Sequence, residues 1–281
     1  MATDAVHFLV DELVAAPFVA VTVLGALYLA DHGVLGTVAQ TVRSQPAAWR
    51  WLESLVGAEV AGYWGHRLQH GLPVLWRFHR LHHSSPVMDW LAPNRRHPVD
   101  LIGSRLVVAV PLLLIGFSVP TVAAHFIIRR SQGLFVHANL RVTMGPLRWF
   151  VAGPAFHHWH HAEERAASAC NFAGEVPLVD WLFGTLYLPD RSWPLAYGIG
   201  EEAPDGYVAQ LLWPFLTNRR RQAVSKPAVA AERRICAHTR ASARYTTGSG
   251  RRVATHHLSH VSARPVNRPA TIGTPLLQSR L

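Results

Sequence analysis

Three short stretches of this chain carry histidine at the spacing of a helical face. "HRLQH" sets His66 and His70 four residues apart. "HRLHH" sets His79, His82 and His83 at i, i+3 and i+4, and "HHWHH" repeats that spacing with His157, His160 and His161. Residues three and four apart share one face of a helix, so each stretch presents its imidazoles together, with His158 pointing elsewhere. Gly71 and Pro73 break the chain between the first two stretches, which lets two helical pieces aim five imidazoles at one point. Imidazole is the commonest metal ligand and suits Fe, Zn, Cu and Ni. A structural zinc takes four ligands and a catalytic one three plus water; the eight imidazoles here exceed either and point to two metals. One such pair alone would read equally well as core hydrogen-bonding groups. Three clusters, two of identical H-x-x-H-H spacing, make metal binding the better reading.

The elements that must position these residues are helical and apolar. The chain of 281 residues is 49% hydrophobic and 16% charged, against about 25% charged in an ordinary soluble domain. Residues 13–30 form an uncharged apolar run long enough to cross a bilayer. Asp4, Asp11 and Glu12 precede it, so it lacks the basic start of a signal peptide. Residues 47–64 form a more polar helix that continues into the first histidines. Residues 101–128 form the longest apolar block, interrupted by "GFSVP". That turn signal predicts a hairpin with arms at 99–115 and 119–140. A hairpin returns the chain to its starting face, so the histidine clusters before and after it can meet. "WLFGTLYLP" reads as a short packed helix end and turn.

Charge is unevenly distributed. Residues 218–281 hold 13 Arg/Lys and one acid, whereas the preceding 217 residues hold 14 basic and 16 acidic groups. The body therefore offers no basic face for nucleic acid. The tail is low in aromatics and without apolar period, as expected of disorder, and its four histidines are not counted as ligands. Cys170 and Cys236 give no zinc signature of the cysteine type.

The clusters at 66–70, 79–83 and 157–161, with "LWRFHRLHHSSPVMDW", "RRHPVD", "NFAGEVPLVDWLFGT" and "YGIGEEAPDGYVAQLLWPF", resemble the bacterial branch of the fatty acid hydroxylase / sterol desaturase superfamily over roughly residues 50–217. The resemblance implies an all-α integral-membrane helical bundle with a cytosolic histidine-rich cap, followed here by the disordered C-terminal tail. Its parts would be an N-terminal transmembrane helix and linker (1–45), the membrane and cap domain (46–217) and the basic tail (218–281). It implies two Fe2+ ions held by His66, His70, His79, His82, His83, His157, His160 and His161. His137 in "FVHANL" matches a further family histidine and would be a ninth ligand. His97 is a ligand or a partner of one, and His125 is packed in the bundle. Glu59, Tyr63, His66 and His70 share a helical face, so Glu59 could accept the free N–H of a ligand histidine; Asn171 and Asp180 could brace the last cluster.

The activity implied is O2-dependent hydroxylation or desaturation of a lipid, such as a sterol or fatty acyl chain. No GxGxxG, CxxCH or iron–sulfur cysteine run is present, so electrons would come from a separate donor of ferredoxin, cytochrome b5 or reductase type. Arg43, Arg50, Arg67, Arg77, Arg80, Arg95 and Arg96 are expected on the ligand side, which the positive-inside rule places in the cytoplasm. The rival readings are a histidine-rich membrane metal-binding or transport protein, a structural zinc protein, and an inactive homologue.

Overall fold

The chain breaks into helices where its prolines and glycines require it. Pro73 disfavours helical geometry at the residue before it. Leu72 accordingly lies at φ −95°, ψ 121°, closing one helix and opening the next. Pro98 and Pro154 occupy first helical turns, where a missing N–H costs nothing. Ser118 caps another helix by accepting from the Thr121 N–H. The result, in a computed structural model that describes residues 2–164, 167–189 and 192–216, is α1 (Ala2–Asp31), α2 (Gly36–Ser44), α3 (Ala47–Gly71), α4 (Pro73–His83), α5 (Pro98–Leu114), α6 (Val119–His137), α7 (Pro154–His160), α8 (Leu178–Phe183) and α9 (Tyr207–Leu216). No strand occurs among the described residues; one isolated antiparallel bridge pairs Ala162 with Tyr197. The tail expected at 218–281 lies outside the described residues.

Four long helices alternate in direction. α1 and α5 run away from the histidines, whereas α3 and α6 return to them, ending at Gly71 and His137. The arms expected at 99–115 and 119–140 are thus α5 and α6. A core of Ala26, Val42, Ala58, Val108, Leu112 and Val122 ties α1, α2, α3, α5 and α6 together at the end remote from the histidines. A second core of Tyr63, Val136, Phe156, Phe172 and Leu186 lies beneath the cap.

α1 is longer than the apolar run at 13–30, because its first turns have polar partners. Asp4 takes Arg95 at 2.6 Å, Glu12 takes Arg105 at 2.6 Å, and His7 bonds Gln210 of α9 at 2.8 Å. By length and composition α1 is the one described helix long and apolar enough to cross a membrane unaided by its neighbours. α5 and α6, of 17 and 19 residues, extend about 26 and 28 Å. The arginines expected together do not all gather. The Arg50 guanidinium donates to the Arg43 carbonyl at the end of α2, and Arg50 lies roughly 24 Å of helix from His66.

At the remote end, α2 crosses the turn between α5 and α6. Gly116 there has φ +105°, and a Cβ on it would stand 2.7 Å from the Ala39 carbonyl oxygen. Gly116→Ala adds left-handed strain and a backbone clash together. It is expected to lower stability by about 3 kcal/mol, measured as a fall in Tm, with the Gly103→Ala variant, which meets nothing within 4 Å, unchanged or higher.

Candidate metal centre

The histidines assemble into two groups rather than one. His66, His70, His79, His83 and His160 offer one nitrogen each within 4.8 Å of one another; His82, His137, His157 and His161 do the same beside them. The expectation that the first five imidazoles share one point therefore fails for His82. Each H-x-x-H-H stretch straddles the groups. In α4 the i, i+4 pair His79 and His83 joins the first and His82 the second. At α7 the i, i+4 pair His157 and His161 joins the second and His160 the first. His83 and His161 stack across the boundary at 4.2 Å between centroids.

Hydrogen bonds from outside fix several tautomers. The Nδ1–H of His66 donates to the Phe172 carbonyl at 2.8 Å, that of His160 to Cys170 at 2.7 Å, and that of His137 to Gly133 at 2.7 Å. The His79 Nδ1–H donates to the Asp100 carboxylate at 3.1 Å. Each of these rings therefore turns an Nε2 lone pair inward. The inner nitrogens then crowd: His137 Nε2 lies 3.3 Å from His82 Nε2 and 3.1 Å from His157 Nε2, which is 3.1 Å from His161 Nε2. One ring proton cannot serve all these contacts. In the first group His70 and His160 Nε2 are buried with no hydrogen-bond partner. Converging lone pairs and orphaned buried nitrogens are what a cation would satisfy, so these donor sets fit bound metal.

Burial pushes His82, His83, His157 and His161 well below the ordinary imidazole range, and neighbouring imidazoles push them further. Burial lowers His160 to about 3. The rings are thus neutral, the form that ligates.

The carbonyls that orient His66 and His160 come from one braced loop. Asn171, at φ 61°, donates from its amide to the Phe156 and Tyr187 carbonyls and accepts from the Tyr187 N–H at 2.7 Å. Asp180 accepts from the N–H groups of Phe172 and Ala173 at 2.8 and 2.7 Å and from the Thr185 hydroxyl at 2.6 Å. Burial nevertheless pushes its carboxyl up to about 7. Thr185 in turn accepts from Tyr63, which accepts from Arg67.

Several candidates stand outside both groups. His97 caps α5, accepting from the Val99 N–H, and donates to the Leu211 carbonyl. Glu59 reaches no histidine: its carboxylate accepts from the Glu175 and Val176 N–H groups and faces Arg129. Seven residues before His66, it sits about 10 Å down the helix. His125 bonds Ser54 within the bundle, and His158 turns outward to Tyr197 and Ala138. Asp100, which orients His79, was not singled out by the sequence; it lies in "RRHPVD", beside a histidine that drew attention instead. A cavity of about 460 Å³ between α1, α3, α5 and α6 reaches His66, His79, His82, His137 and His157.

Comparison with known proteins gives this geometry a setting. Residues 51–185 match the family model described as fatty acid hydroxylase. An ornithine lipid hydroxylase of Rhizobium tropici is 32% identical over 181 residues, 64% of this chain and 55% of that protein. An alkylglycerol monooxygenase of Homo sapiens is 30% identical over 152 residues, 54% of this chain and 33% of that protein. A very-long-chain aldehyde decarbonylase of Oryza sativa subsp. japonica is 26% identical over 142 residues, 50% of this chain and 52% of that protein. The chain thus spans about half of the bacterial relative and a third of the animal one. No solved structure matches significantly.

Two outcomes follow for stability. In the metal-free protein the folded imidazoles have lowered affinity for protons, so the unfolded chain binds more of them as pH falls. Stability is full above the unfolded value of 6.5 and is lost below it, by up to about 1.4 kcal/mol per pH unit for each such ring. Thermal unfolding after chelation, followed from pH 8 to 5, is expected to show that steep fall; a flat profile contradicts the buried neutral state. Asp180→Ala strands two buried N–H groups and is expected to cost about 3 kcal/mol or more, with weakened metal retention on dialysis.

Proposed function

We propose, from the match of residues 51–185 to the fatty acid hydroxylase family, that this chain is a membrane-bound di-iron enzyme that uses O2 to oxidise a C–H bond of a lipid. His66, His70, His79, His83 and His160 would hold one iron, and His82, His137, His157 and His161 the other. The observation that carries this reading is two adjacent groups of buried imidazoles opening on one cavity. Bound iron supplies O2 activation and C–H oxidation. The overall reaction balances as R–H + O2 + 2e⁻ + 2H⁺ → R–OH + H2O; desaturation instead removes two hydrogens and yields two waters. Electrons come from a separate donor of ferredoxin, cytochrome b5 or reductase type.

The protein's own residues do three things. Asp100 and the carbonyls of Gly133, Cys170 and Phe172 hold the Nδ1 protons of their histidines, so that the Nε2 atoms face the metals. The cap buries the rings and excludes water, which keeps reactive species from side reactions. The cavity admits one end of a lipid. The bacterial relative's name gives an ornithine lipid as what it hydroxylates, and the animal relative's name gives alkylglycerols; a lipid substrate is the common element proposed here. α1, α3, α5 and α6 would cross the bilayer, with Arg67, Arg77, Arg80, Arg95 and Arg96 holding the metal side in the cytoplasm.

The test is lipid profiling of cells that express the chain with a compatible reductase, beside a His82→Ala variant, and metal analysis of both proteins. The intact protein is expected to carry two irons and to yield a lipid that has gained oxygen or lost two hydrogens. The variant is expected to lose one iron and the product. Tightly held zinc with no lipid change would instead support a metal-binding or transport role.

A further inference from the structure

The cavity beside the histidines is lined by four arginines, and three have carboxylates. Arg96 pairs with Asp100 at 2.7 Å, Arg105 with Glu12 at 2.6 Å, and Arg129 with Glu175 at 2.9 Å. Arg130 differs. Its guanidinium donates to the Asn94 side-chain oxygen at 2.5 Å and lies 5.1 Å from the Phe8 ring centroid. Among the described residues no carboxylate is within ion-pair distance of it. Glu12, whose charge also reaches it, is engaged through both oxygens by Arg105.

A guanidinium stays charged and presents five N–H donors in a planar fork. In a half-buried site such a charge is costly unless an anion meets it. The fold pairs it with none directly, since Glu12 is held by Arg105, and Arg130 lines the same cavity as His66, His79, His82, His137 and His157. Arg130 stands seven residues, roughly 10 Å along the axis, before His137. Phe8, Val19, Val107 and Phe126 line the same cavity and suit hydrocarbon.

We propose that Arg130 is the substrate's anion anchor: it binds a phosphate or carboxylate headgroup of a lipid whose hydrocarbon lies in the same cavity. This rests on the reading that the cavity holds the lipid to be oxidised. A lipid without a negative charge leaves Arg130 uncompensated and binds less well. The planar fork suits bidentate pairing with either anion.

The experiment is direct binding to metal-loaded, full-length protein in non-ionic detergent, without O2 or reductant. Calorimetric titration would use three ligands of one chain length: dodecyl phosphate, dodecanoate and dodecanol. At least one anion is expected to bind about tenfold or more tightly than the alcohol. Which anion does so tells a phosphate headgroup from a carboxylate. In Arg130→Gln the preference is expected to vanish while metal content stays the same; Arg130→Lys keeps the charge and part of the preference. Equal binding of anion and alcohol to the unsubstituted protein overturns the anchor, whatever the variants do, and leaves the oxygenase reading standing. A preference that persists undiminished in Arg130→Gln overturns it too. Failure of all three ligands to bind would show that the cavity is no lipid site, and the oxygenase reading would lose its substrate chamber with it.

Discussion

Nine imidazoles turned inward within a buried space set the terms for the rest of this structure. A neutral ring has one proton and one lone pair, and a cluster of lone pairs repels. Such a cluster is eased where a ring proton has an acceptor outside, as at His66, His79, His137 and His160, and where a cation meets the lone pairs inside. The outer acceptors are drawn mostly from backbone: Gly133 within α6, and Cys170 and Phe172 in the loop after α7. The Gly133 carbonyl is reached by His137 from four residues on in the same helix, whereas carbonyls open to a partner from elsewhere are found where a helix ends or the chain is irregular. This gives a physical reason for an irregular loop packed against the most demanding site. It also explains why that loop is braced by Asn171, Asp180, Thr185 and Tyr63 rather than left to solvent.

The division of the histidines has a geometric cause. At 3.6 residues per turn, i and i+4 lie about 40° apart around the axis, and i+3 lies about 60° to the other side of i. A stretch H-x-x-H-H thus reaches two neighbouring points, the pair to one and the middle histidine to the other. α4 and α7 use this in opposite senses, so that each helix contributes to both groups. Neither helix can shift without disturbing both donor sets at once. The stack of His83 on His161 joins them at the boundary.

Helical spacing in the sequence was enough to gather His66, His70, His79, His82, His83, His157, His160 and His161 as one constellation, and the "GFSVP" turn was enough to bring them to one side of the hairpin. Their apportioning was not legible, because spacing gives a face and not what stands opposite it. Asp100 was missed because one carboxylate in the first turn of a helix has no signature of its own. The carbonyl acceptors could not be read at all, since every residue has one. Glu59 shows the opposite error. Its helical phase matched His66 and His70, but phase says nothing of height, and its carboxylate meets Arg129 and a backbone turn instead. Arg43 and Arg50 are close to the histidines in sequence, yet the length of α3 carries them to the far end.

Height also accounts for the polar layer inside the bundle. Glu12, Glu59, Arg105, Arg129 and Arg130 come from α1, α3, α5 and α6, each about two turns from the cap. A bundle filled only with apolar side chains would be cheaper, because buried ion pairs seldom repay their desolvation. Here Glu12, Arg105, Arg129 and Arg130 border a cavity, and Arg105 and Arg129 are about a quarter exposed, so part of that desolvation is avoided. Gly62 and Gly174 keep the space for the Arg129 guanidinium, since a Cβ on either would fall within 2.7 Å of it. Arg129 and Arg130 of this layer make α6 more polar than α1, the one described helix long and apolar enough to cross a membrane. The layer also ties α1 into the chamber: Phe8, Glu12 and Val19 are part of the wall. The first helix is therefore part of the chamber beside the histidines, its first turns held by Arg95, Arg105 and Gln210.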